Sequence, residues 1–202
     1  ARGVTLEVVT ADGIQVEALS TQPTRQRGDR TEITLGDLTS EEAVSVVLRL
    51  EFPYGQLGDR LGAVLSIEDR DGAFREDSVK LAWEYAVDRE NDVQERAVEV
   101  DRAVAAIFAA RARQEAVGCN RRGDFDGARH VVKATARRIR GYAGRDQELR
   151  RILAELEQET EVMAAPMMEM ERKGVFFASE NMLRSRAFDG SAVKARPGLD
   201  RQ

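Results

Sequence analysis

Near Asp88 the hydrophobic period of the chain changes from two to between three and four, and it does not change back. Strands show their side chains alternately to two faces, and helices return to one face every 3.6 residues. A single switch therefore predicts strands first and helices afterwards, an α+β chain rather than an alternating α/β one. The strand part is expected over residues 1–88 as an antiparallel β-sandwich, and the helical part over 89–187 as an antiparallel three-helix bundle. DGSAVKARPGLDRQ, within 188–202, reads as a disordered tail.

VTLEVVT puts Val4, Leu6 and Val8 on one face, and IQVEAL puts Ile14, Val16 and Ala18 on one face. The intervening ADG predicts a hairpin between them. TQPTRQRGDR reads as a loop, and TEITLGDL returns to strand spacing with Ile33 and Leu35. AVSVVLRLEF is the strongest strand pattern, closed by Pro53 and Gly55. LGAVLSIEDRDGAFREDSVKLAWEYA predicts two further strands around Asp71-Gly72.

The first helix is expected from about 92 to 117, with Asn91 or Asp92 as its N-cap. At 1.5 Å per residue it is about 39 Å long. The second is expected over about 125–142 and the third over about 146–186, kinked or split near Pro166. Between the first two lies GCNRRGDFDGARHVV. Gly118 and Gly123, followed by Asp124 and the small Ala128, read as a structural helix corner in which Gly118 caps one helix and Asp124 caps the next.

Candidate chemistry is sparse. EDRDGAFRED clusters Asp69, Asp71 and Gly72 but lacks the ligand series and flanking helices of a calcium loop. His130 is the only histidine and Cys119 the only cysteine. Asp126 lies four residues before His130, in reach of an imidazolium, and an i, i+4 pair of this kind is ordinarily a surface contact. No GxSxG, GxxxxGK[ST] or GxGxxG pattern occurs. No catalytic residue, metal ligand or cofactor is assigned, and no enzyme is expected. Arg129, Lys133, Arg137, Arg138, Arg140 and Arg145 make the second helix basic, but with Tyr142 as the sole interleaved aromatic they predict a solvated face or ion pairs to the third helix rather than a nucleic-acid surface.

Met163, Met167, Met168 and Met170, with Phe176 and Phe177, are the most apolar part of the helical half. They pack a core or form an interaction surface, and through that helix a homodimer. No apolar run approaches the roughly 20 residues of a membrane span. A lone cysteine leans toward a reducing, cytoplasmic setting. The start ARGVTLEVVT has neither Met nor a signal-peptide pattern and begins almost inside a strand, as expected of a piece of a longer protein.

The runs ITLGDLTSEEAVSVVLRLEFP, LGAVLSIEDRDG, DVQERAVEVDRAVAAIFAARARQEA, RGDFDGAR and MERKGVFFASENMLRSRAF together resemble the region C-terminal to the von Willebrand factor type A domain in bacterial proteins, some labelled chloride-channel-like. In that family the A domain carries a metal site on DxSxS. That motif does not occur here, so none of its residues carries over. The resemblance implies a non-catalytic accessory region that contacts protein or packs an A domain absent from this chain. AARARQEAVGCNRRGDFDGARHVV also resembles one tetratricopeptide-like corner, which implies peptide binding, although a concave surface needs about three such units.

Overall fold

The computed structural model describes residues 1–74, 78–185 and Val193. The chain is α+β, with an antiparallel sheet and, among the described residues, five helices, and its contacts divide it into two compact units, Ala1–Glu95 and Arg96–Val193. The sequence expectation for the tail over 188–202 falls outside the described residues apart from Val193.

In the first unit, β1 (Val4–Thr10), β3 (Thr24–Arg27), β4 (Arg30–Gly36), β6 (Arg60–Glu68) and β7 (Ser78–Glu84) form one sheet in the order β3-β4-β1-β6-β7. The strands β2 (Gln15–Ala18) and β5 (Leu48–Glu51) form a second. Val8, Ile33 and Val16 are the buried centre, with Leu6, Leu35, Val46, Leu48, Leu50 and Leu65 packed around them, so residues of both sheets share one core. The short helix α1 (Asp88–Asp92) follows β7.

Three strand expectations need correction. β1 and β2 are not a hairpin: β1 pairs with β4 and β6, and β2 pairs with β5 in the other sheet. Alternation identifies a strand but not its partner, and the ADG turn here carries the chain from one sheet to the other. Gly13 makes that turn at φ 88°, with the ring of Pro53 3.1 Å from where a Cβ would stand.

The stretch 21–30 is not all loop, because β3 and β4 join through Gly28-Asp29. All four β3 residues are exposed, so its sequence has no apolar alternation to announce it. Finally, only Leu48–Glu51 of AVSVVLRLEF is a strand. Val46 and Val47 enter the core without a ladder, and Val47 accepts a hydrogen bond from the Leu19 N–H at 2.8 Å.

The second unit contains α2 (Val98–Arg121), α3 (Phe125–Ala143), α4 (Gln147–Met163) and α5 (Glu169–Leu183). With α1, the described residues thus hold five helices where three were expected. α1 is separate from α2, whose N-cap is Ala97 rather than Asn91 or Asp92. Val93, the first apolar residue of the expected stripe, is 79% exposed and outside the helix. The expected third helix is two, separated at Pro166, whose missing N–H and bulky ring end α4.

α2 is the central helix, in contact with α3, α4 and α5. The side chains it gives to the core shared with these helices, Ala105, Ala109, Ala116 and Cys119, are small, which lets backbones approach closely. Larger residues come from the neighbours: Val132 and Ile139 from α3, and Leu149, Ile152, Leu156 and Met163 from α4. Fully burying side chains of that size contributes about 1.5–3 kcal/mol each.

Candidate functional site

The corner between α2 and α3 is built on backbone geometry. α2 runs through Gly118, which lies inside the helix and does not cap it. Arg122 is the C-cap, and Gly123 turns the chain at φ 77°. Asp124 then caps α3 by accepting from the Gly127 N–H at 2.8 Å, and Ala128 is fully buried. The Asp124 carboxylate is committed to a helix end.

Other candidate groups are similarly engaged. Asp69 accepts three backbone N–H groups, from Asp71, Ala73 and Phe74 at 3.0–3.1 Å, which hold its pKa below the ordinary value. Asp126 pairs with Arg129 at 3.0 Å rather than with the exposed His130. Cys119 is buried, with an Arg122 nitrogen 3.5 Å from its sulfur. No group of three His, Cys, Asp or Glu residues among those described could hold a metal. No helix among them is long and apolar enough to cross a membrane.

The basic face of α3 meets the acidic face of α4. Arg129 and Lys133 pair with Glu161 at 3.1 and 3.5 Å, and Arg140 pairs with Glu157. Arg113, buried on α2, takes both oxygens of Glu159 at 2.7 and 3.1 Å. Sequence spacing did not single it out, since an arginine in an alanine-rich helix reads as exposed. At the other end of α4, Arg102 pairs with Asp146 at 2.5 Å, and Asp146 also caps the helix through the Leu149 N–H. The Arg102 guanidinium, with that N–H, lowers the Asp146 pKa to about 2.

The methionines and phenylalanines around α5 divide between core and surface. Met163 and Met167 point inward, at 2% and 8% exposure, whereas Met168, Met170, Phe176 and Phe177 are 68%, 76%, 49% and 58% exposed. Met170 and Phe177 are seven residues apart and share one face of α5. Gly174 lies between them, and a Cβ added there would meet no atom within 4 Å.

The first unit has a different feature. Phe52, Leu61, Trp83, Tyr85, Glu84 and Glu90 line a cleft of about 550 Å³ at the end of β7. The Phe52 and Trp83 rings meet edge to face at 5.1 Å.

No family model and no curated protein matches this chain. A solved structure does: von Willebrand factor type A from Catenulispora acidiphila, with a TM-score of 0.50 and 14% identity, over 96% of this chain and 47% of that one. The chain thus spans about half the length of the protein it resembles, and the likeness is one of fold. It corrects the expectation of a region lying after a type A domain and lacking one: nearly all of this chain is itself aligned with the protein so named.

Proposed function

We propose that this chain is a non-catalytic protein-interaction module that pairs with a second copy of itself through the exposed face of α5. The observation that carries the reading is the pair of exposed apolar side chains Met170 and Phe177, one on each side of Gly174, on a helix whose other face is buried in the unit. Antiparallel pairing about its middle sets Met170 of one copy against Phe177 of the other, a sulfur–aromatic contact that is favourable in itself. Gly174 then sits near the crossing, where the absence of a side chain lets two helix backbones approach. The engaged carboxylates, Asp126 paired with Arg129 among them, and the exposed position of His130 support a role without catalysis.

Crosslinking tests the pairing. Under mild oxidation, Gly174→Cys forms a covalent dimer, because disulfide geometry requires Cα atoms within about 7 Å. Gly141→Cys, on exposed α3 surface, does not. No covalent dimer from Gly174→Cys, or equal yields from both variants, contradicts the reading.

A further inference from the structure

The two edges of the five-stranded sheet differ. β3, at one edge, carries Thr24, Arg25, Gln26 and Arg27, all exposed, and charge on an edge discourages pairing with other chains. β7, at the other, carries SVKLAWE over seven residues and, among the described residues, pairs only with β6.

The direction of the free main-chain groups follows from the ladder. The Tyr85 N–H donates to Asp59 O at 2.9 Å, so residue 85 faces β6. On the opposite side of β6, Gly62 O accepts from Ala11 at 2.9 Å. Hydrogen-bonding direction alternates along an antiparallel strand. Trp83, Leu81 and Val79 therefore bond toward β6, and Ser78, Lys80, Ala82 and Glu84 turn their N–H and C=O groups to the open edge.

The side chains add a second asymmetry. Val79 and Leu81 pair across from Leu65 and Ala63, residues of the core-facing side, yet they are 58% and 40% exposed. The apolar face of the sheet continues past its cover, and the Trp83 cleft with Glu84 and Glu90 closes the row. Residues 1–95 carry 20 acidic and 10 basic side chains, a net charge of −10.

We propose that the open edge of β7 is a strand-addition site for an extended, basic segment of a partner protein. Main-chain hydrogen bonds to Lys80, Ala82 and Glu84 supply affinity, alternate apolar residues cover Val79 and Leu81, and a basic residue is drawn to the acidic cleft. This site lies in the first unit and does not depend on the α5 face.

Trp83 is the only tryptophan, so its emission reports occupancy directly. The probe is a seven-residue peptide of alternating valine and lysine, with a valine–glutamate peptide for comparison. The expected result is a saturable blue shift with the lysine peptide and affinity at least about tenfold weaker for the glutamate one. Ala82→Pro removes an outward N–H while sparing the β6 ladder, and should weaken binding by about tenfold or more. Methylating alternate backbone nitrogens of the peptide tests the same bonds with the protein unaltered, and should abolish the shift. No shift with the lysine peptide, or equal binding of its methylated form, overturns the proposal. A wild-type dimer that Ala82→Pro dissociates assigns the edge to a second copy of this chain and overturns it too.

Discussion

The side-chain amide of Asn120 donates to the carbonyl oxygen of Met163 at 2.7 Å, across the break between α4 and α5. Its oxygen accepts the Met167 N–H at 3.4 Å. In an unbroken helix Met167 N–H and Met163 C=O bond each other, so one amide from α2 stands in for the peptide bond partner that Pro166 disrupts. The same Nδ2 also reaches Ala165 O at 2.6 Å, and the residue is 3% exposed. Replacing Asn120 with Leu strands the buried Met163 carbonyl and leaves the Met167 N–H unpaired by the amide, and should cost about 3 kcal/mol. Chemical denaturation of variant and wild type measures it, and a loss below about 1 kcal/mol shows that water or backbone adjustment supplies the missing bonds.

The corner between α2 and α3 makes a smaller prediction. Asp124→Ala removes the acceptor for the Gly127 N–H and should destabilise by about 1 kcal/mol. Gly123→Ala forces a Cβ into a φ of 77° and should cost about 1–2 kcal/mol. Thermal melts of both variants, each compared with wild type, test the two statements separately.

At low pH the Asp146 pair should fail. Its pKa is lowered from the ordinary 3.8 to about 2 by Arg102 and the Leu149 N–H, so the folded state favours the charged form. A depressed carboxylate contributes stability above its unfolded pKa and loses it as pH falls through the folded one. The melting temperature should therefore drop between about pH 4 and pH 2, and more shallowly in Asp146→Asn. An identical slope in that variant shows that other carboxylates govern the acid limb.

The passage between the two sheets at Gly13 predicts an effect on the first unit. Gly13→Val brings a branched Cβ against the Pro53 ring at a positive φ, so both backbone strain and a close contact oppose it. A clear fall in stability, by about 2 kcal/mol, is expected in denaturant titration. A neutral result means that the turn re-forms without the left-handed conformation.

Some of this was readable from residue order. The change of period near Asp88 separates strands from helices because side-chain spacing is local, and Pro166 marks a break for the same reason. Partnership was not readable: β1 bonds β4 and β6 while β2 bonds β5, and only packing of Val8, Val16 and Ile33 determines this. β3 escaped notice because an exposed edge strand needs no apolar residue. From the end of α4 to the start of α5, the methionines look alike in sequence. Burial distinguishes Met163 and Met167, in the core, from Met168 and Met170, outside it.

Sedimentation velocity over a dilution series, with wild type beside Met170→Glu/Phe177→Glu, bears most directly on the α5 interface. Wild type should show a concentration-dependent shift from monomer to dimer, and the double variant should remain monomeric with an unchanged melting temperature, since both replaced side chains are more than half exposed. A wild-type chain that sediments as a monomer at every concentration, or a double variant that dimerises as wild type does, contradicts the account.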